Sequence, residues 1–359
     1  MGNGRPKEDH GRAGARLPGV EAQNHYYGHS GAFAAYVGLT KPRHVRGLVQ
    51  HGWTASSPLD THFRDFPSIG RPGGRPDRSL FVWSHSSRSW DPATADRASV
   101  PIGAPWLYLC AAAGQAEPGT GTVILPVHGI PTQRLHGDHR TVAREWAATE
   151  GPSTVCLYHV EAADPAVVAA YRDAGHTCVT LGERTDAAFV ARLRTLITGA
   201  SRVVSNRLST PIVYAAALGI DAAVTGDAMR LDGEAVDPSA RLRETWPEFF
   251  DPSASVSDRL EVARAEVGAD HLREPDELRV LLGWDRRWRG GPWWDHWVAA
   301  PASRVVTNVR RRGAGSSPAG AAAEGAPALS AVAWVRGAVS YLPHPVGRVV
   351  VDASPLSIG

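Results

Sequence analysis

Ser205, Asn206, Ser209 and Thr210 crowd one turn between an apolar strand carrying Val203 and Val204 and a helix that opens at Pro211. Hydroxyls, a carboxamide and the free N–H groups of a helix start can all donate to anionic oxygens, so this turn is suited to phosphate. Ser209 or Thr210 can cap the helix, Pro211 fits its first position and Gly219 suits its stop. An ordinary capped helix in an α/β domain accounts for the same residues.

Histidines follow three other apolar runs: His51 after Val45 to Gln50, His85 after Leu80 to Trp83, and His128 after Val123 to Val127. Ligands in open α/β sheets gather at the carboxyl ends of strands, so the repetition says more than any single imidazole. Histidine changes charge near neutrality, which suits acid/base or phosphate-binding work. His51 is the leading candidate for the catalytic group, with Gly52 giving the backbone room to turn and Trp53 forming a cleft wall. A structural histidine bonded to neighbouring backbone is the alternative.

His128 is joined by Arg134, His136, His139 and Arg140, a positive group suited to a diphosphate or an acidic acceptor. A solvated loop explains the last of these equally well. Zinc at His128, His136 and His139 would lack companion cysteines and a convincing carboxylate, so no metal is expected. His159 and Glu161 end another strand within reach of a nucleotide. Asn24, in Asn-His-Tyr-Tyr-Gly28, is a candidate polar wall near an acceptor, or part of a segment packed through Tyr26 and Tyr27. Asp186 reads as a helix cap.

These residues need a scaffold. From about residue 43, short apolar runs alternate with helical patterns, as in a doubly wound parallel sheet. The regular part reads as strand Thr154 to His159, helix Asp164 to Ala174, strand Thr177 to Leu181, a helix with Phe189, Leu193, Leu196 and Ile197 on one face, then the turn at Ser205 and a strand at Ala222 to Thr225. Glu150-Gly-Pro-Ser153 is the expected domain boundary. Beyond residue 230 prolines interrupt the pattern. Glu274 to Gly283 reads as a short capped helix, and Trp284, Trp288, Trp293, Trp294 and Trp297 crowd beside Arg286, Arg287 and Arg289. Packing of these indoles onto the body is the expectation, over a nucleic-acid platform. Residues 1–20 and the Gly/Ala/Ser/Pro-rich stretch 310–327 read as disordered, with the last 32 residues loosely attached.

The 359 residues suffice for two domains, and 38 basic against 36 acidic side chains give a net charge of +2. No global field favours nucleic acid or an anionic membrane, so anion recognition must be local. No secretory signal or spanning segment is read, which predicts a cytoplasmic protein whose membrane contact would be peripheral. Cys110, Cys156 and Cys178 sit in apolar, strand-like contexts and read as buried reduced thiols. GxxxxGK[ST], GxGxxG after a strand, HExxH, GxSxG and CxxC are all missing, which lowers ATPases, dinucleotide oxidoreductases, zinc peptidases and α/β-hydrolases.

The set Gln50-His-Gly-Trp53, Pro101-Ile-Gly-Ala-Pro105, Pro126-Val-His-Gly129, Leu157-Tyr-His159, Ser205-Asn206 and Leu281-Leu-Gly-Trp284 resembles bacterial GT-B-type glycosyltransferases of capsular and surface-polysaccharide biosynthesis, over roughly residues 24–290. The resemblance implies an α/β fold of two Rossmann-like domains facing a cleft: an acceptor domain at 21–150 and a donor domain at 151–235. A Trp-rich segment at 236–309 would pack across both, followed by the tail at 310–359. It implies no tightly bound metal or cofactor, a nucleotide-sugar donor held by Ser205, Asn206, Ser209, Thr210, His159 and Glu161, and a glycan or lipid-linked acceptor near Asn24, Trp53 and Arg134. His51 would be the general base of an inverting transfer and His128 a supplementary donor. No Glu-x-x-Gly-Gly ribose signature is present, which leaves the base open. The same parts would serve transfer of a phosphopolyol from a CDP-activated donor, or a non-catalytic binding protein.

Overall fold

The computed structural model describes residues 23–63, 69–70, 79–85, 97–117, 119–129, 134–234, 237–285, 294–299, 302 and 346–358. The N-terminal tail, the stretch 310–327 and most of the Trp/Arg cluster (286–293) lie outside them.

The chain is mixed α/β with parallel sheets. Helix α1 (His29–Tyr36) precedes a parallel three-stranded sheet, β1 (Gly47–Val49), β2 (Ser79–Val82) and β3 (Ser99–Pro101), with the short helix α2 (Pro58–Thr61) after β1. Helix α3 (Pro105–Ala113) leads into β4 (Thr122–Ile124), β5 (Leu135–His136), α4 (His139–Glu150), β6 (Thr154–Leu157), α5 (His159–Ala162), α6 (Pro165–Asp173), β7 (Thr177–Thr180), α7 (Phe189–Thr198), β8 (Arg202–Ser205), α8 (Thr210–Ala217), β9 (Asp221–Val224) and β10 (Arg230–Leu231). Helices α9 (Ala240–Thr245), α10 (Val256–Glu266) and α11 (Pro275–Leu282) follow, and β11 (Leu356–Ser357) lies near the C-terminus.

The second sheet runs β11-β7-β6-β4-β8-β9, with every pairing parallel except β11 on β7. Strands β4, β6 and β7 are therefore laid down in one direction and β8 and β9 in the other. The strand order reverses between β4 and β8, and a crevice opens at such a point.

Parallel strands covered on both faces must be apolar on both. Ile124, Val155 and Val204 meet Val142, Trp146 and Tyr171 of α4 and α6 on one face. Val123 and Val203 meet Leu193, Ile197, Ile212 and Val213 of α7 and α8 on the other. Helix α8 is apolar all round, and Ile212 through Ala217 are buried beneath α10. Tyr214 stacks on Trp106 of α3 (4.6 Å between centroids) and on Trp83 after β2 (5.4 Å), which ties the two sheets together.

Three expectations change and one element is added. The strand at Val123 belongs with β6 and β8, so the sheet boundary falls in the loop after α3 and not at Glu150-Gly-Pro-Ser153; the Gly/Pro turn at 151–152 is a helix-to-strand connection inside one sheet. Residues 99–101 form a strand that three residues ending in proline could not announce. Cys110 sits on a helix and is half-buried, while Cys156 and Cys178 are buried in strands. Residues 346–358 dock on the body: β11 extends the sheet beside β7, the Thr195 hydroxyl donates to Asp352 at 2.6 Å, and Val350 and Val351 pack on the core.

The N-terminal segment is anchored against the second sheet. Tyr27 N–H donates to the Arg184 carbonyl at 2.6 Å, with Tyr27 at φ 57° and Gly28 at φ 76°. A Cβ at Gly28 would lie 2.3 Å from the Ala187 carbonyl oxygen. Gly28→Ala combines an unfavourable left-handed conformation with a backbone clash, and urea unfolding is expected to show a loss of about 3 kcal/mol. A loss below about 1 kcal/mol would mean that this docking yields at little cost.

Candidate functional site

A cavity of about 340 Å³ opens at the carboxyl ends of β4, β6 and β8, where the strand order reverses. Its wall includes Pro126, His128, Tyr158, Phe189, Ser209 and Pro211. The Ser209 side chain makes no capping bond, so it does not occupy the first-turn N–H groups of α8. Apolar walls with a few polar groups and a helix start suit a ring system attached to a phosphate. Among the described residues no group of three or more His, Cys, Asp or Glu is placed to hold a metal ion.

His128, Ser205 and Ser209 reach this cavity; several expected partners do not. Asn206 is a clamp: its Oδ1 accepts from Val127 N–H at 2.7 Å, its Nδ2 donates to the Asp227 carbonyl at 2.6 Å, and it is not part of the cavity wall. Ser205 is fully buried, and its Oγ accepts from the Arg207 amide. The Thr210 hydroxyl accepts from Trp53 N–H at 2.9 Å. Glu161 Oε1 accepts from Gly129 N–H at 2.7 Å, so this carboxylate shapes the turn that carries His128. His159 opens α5 with its Nδ1 buried and outside the cavity wall.

The expected acceptor residues Asn24, Trp53 and Arg134 are not part of the cavity wall. Asn24 is buried, donating to the Gly47 carbonyl and accepting from Val49 N–H, and so completes the outer edge of β1 as a neighbouring strand would. Trp53 donates to Glu266 and meets Trp246 edge-on. Arg134 lies beside the β5–β10 ribbon, where its amide donates to Asp232. His136 pairs with Asp232 and His139 with the Tyr171 hydroxyl, so neither converges with His128. Asp186 caps the turn before α7 by accepting from Ala188 N–H, and it also pairs with Arg192.

His51 follows β1 and is held by its neighbours. Gln50 Oε1 accepts from Trp83 N–H and its Nε2 donates to the Gly52 carbonyl, which fixes the turn. The His51 ring stacks on His62 at 3.9 Å and packs against Tyr26 and Tyr27. Its Nδ1 is enclosed without a partner. Burial, reinforced by the Arg184 charge, pushes its pKa down to about 4. His29 is held at about 3 by burial and His51, and His62 well below the usual imidazole range by burial, His51 and His29.

An aromatic chain joins His51 to the cavity. Tyr27 lies close enough to Tyr158 for each to act on the other electrostatically, Tyr27 packs on Phe189 at 4.9 Å, and Tyr158 stacks on His128 at 4.1 Å. Desolvation lowers the His128 pKa against the opposing pull of the Gly129 carbonyl and Glu161. Arg207 also lines the cavity, but Glu234 engages it through both oxygens at 2.7 Å, which neutralises its charge. Arg184 differs: it is exposed, lies 4.6 Å over the Tyr26 ring, and acts electrostatically on His51, Tyr27 and Tyr158. No carboxylate pairs with it among the described residues.

From the sequence, Arg184, Tyr158 and His62 carry no assigned role, and Tyr27 reads only as a packing residue. Tyr158 stands beside His159 in a strand-end motif, which is the one signal that could have marked it; Arg184 sits in a loop whose sequence promised only a helix cap. Neither protein-family models, curated proteins nor solved structures give a match to this chain.

Proposed function

We propose that this protein is a nucleotide-sugar-dependent glycosyltransferase of GT-B type, inverting and independent of a tightly bound metal. One observation carries the reading: the cavity where the strand order of the second sheet reverses contains the start of α8, and the loop bearing His51 touches that same helix start through Trp53 and Thr210. The donor's ring system occupies the cavity. Its diphosphate lies on the first-turn N–H groups of α8, with Arg184 supplying positive charge and neutral His128 a supplementary hydrogen-bond donor.

An acceptor hydroxyl attacks the anomeric carbon while the bond from that carbon to the diphosphate oxygen breaks. The hydroxyl proton passes to His51, and the departing nucleoside diphosphate keeps the bonding electron pair. Burial and Arg184 disfavour an imidazolium at His51, so the bound diphosphate supplies the negative charge that offsets both.

Thermal shift with UDP-, GDP-, CDP- and CMP-linked compounds tests the reading. At a hundredfold excess over Kd the matching donor stabilises the protein by about 2.7 kcal/mol. Arg184→Gln, at an exposed position, is expected to raise the donor Kd about tenfold to a hundredfold, the range of a charge-assisted hydrogen bond. A shift confined to CDP-alditols would turn the reading to phosphopolyol transfer, and no shift with any donor would remove the transferase.

A further inference from the structure

A second cavity, of about 720 Å³, lies at the opposite end of the same sheet, among the segments that lead into β4, β8 and β9. Its wall combines the apolar Ala111, Ala200, Leu218 and Ile220 with Cys110 and Arg194. Arg194 is the informative residue. It is only 7 % exposed and its Nε is enclosed without a hydrogen-bond partner. Its side chain donates to the Gly114 carbonyl from Nη2 at 2.9 Å and acts electrostatically on the nearby Cys110 thiol. No carboxylate neutralises it among the described residues. The other well-buried arginine beside this sheet, Arg259, is paired with Asp221 at 2.5 Å. A buried guanidinium without a counter-charge is costly, and an anion entering the cavity removes that cost.

We infer that this cavity binds an amphipathic monocarboxylate, its carboxylate on Arg194 and its hydrocarbon body along Ala111, Ala200, Leu218 and Ile220. A single guanidinium matches one negative charge. Glu117, also in the wall, opposes a dianion, and the apolar surface rewards a hydrocarbon chain that inorganic phosphate lacks. The volume falls within the range of small-molecule sites. Phe189 of α7 and Pro211 of α8 reach the first cavity, while Arg194 of α7 and Leu218, just after α8, reach the second. The two sites thus share two helices without sharing a wall residue.

Calorimetric titration of the full-length protein with decanoate, below its micellar concentration, tests this. Inorganic phosphate and decanol run in parallel as probes of charge without tail and tail without charge. The expected result is saturable binding of one decanoate per chain, with little binding of either control. Arg194→Gln should weaken decanoate at least about tenfold, from loss of a charge-assisted bond. Ala111→Trp, which fills the cavity from an exposed position on α3, should abolish binding while the far-ultraviolet circular dichroism stays unchanged. Absence of saturable decanoate binding, equal binding of decanol, or an unchanged Kd in both variants would overturn the assignment. So would binding of phosphate tighter than decanoate. Nucleotide-sugar binding at the first cavity is read separately, and its failure would leave this result standing.

Discussion

His51→Ala is expected to lower turnover by about a hundredfold or more, the contribution of a positioned general base, while the donor Kd should stay within a few-fold of wild type. The expectation follows from where His51 stands. Its ring leaves the end of β1 on a turn fixed by Gln50, packs on Tyr27, and is not part of the wall of the proposed donor cavity. Loss of the imidazole should therefore appear in kcat and leave nucleotide binding intact. With a pKa near 4 in the free protein, His51 keeps its lone pair across the neutral range, so kcat/KM should hold level from pH 7 down to about 5. His51→Gln, which preserves polarity without basicity, should be as impaired as the alanine variant. A wild-type kcat in either variant, or an acid limb centred near 6.5, would take His51 out of the base role.

The order of secondary structure was legible wherever apolar runs were punctuated by caps. Pro165, Gly175, Pro211 and Gly219 marked real boundaries, and the strands at 154–157, 177–180, 202–205 and 221–224 fell where expected. Sheet membership was not legible. Nothing in Val123 or Ile124 states that β4 pairs with β8 across nearly eighty residues, because pairing is decided by tertiary packing and not by the run itself.

The candidate cavity was legible only in part. The turn at Ser205 does lie at the cavity, and His128 does reach it. Asn206 and Asn24 instead spend their amides on backbone groups that no adjacent strand or turn satisfies, a use that looks the same in sequence as ligand binding. Arg207 is neutralised by Glu234, a neighbour from a loop 27 residues beyond it, whereas Arg184 has no such carboxylate among the described residues, a difference that neither local sequence announces.

The packing that holds His51 is also expected to make the protein acid-labile. His29, His51 and His62 are neutral in the folded state because their surroundings exclude charge, with folded pKa values near 3 and 4 for the first two and a strong depression for the third. In the unfolded chain each titrates near 6.5. Below that pH the unfolded state takes up protons that the folded state refuses, so stability is fully present above about 6.5 and falls as the pH drops toward the folded values. For His51 alone the difference corresponds to about 3 kcal/mol, and the mutual repulsion among the three rings prevents simple addition. Even one and a half times that amount rivals the 5–15 kcal/mol by which domains are stable, so urea midpoints should fall steeply between pH 6.5 and 4.5. Carboxylates titrate mostly below this window. His62→Phe keeps an aromatic ring against His51 but cannot be protonated, and it should flatten the stability profile and move acid unfolding to lower pH. A wild-type profile that is level across this window, or a His62→Phe profile superimposable on it, would show that the three imidazoles accept protons without opening the fold.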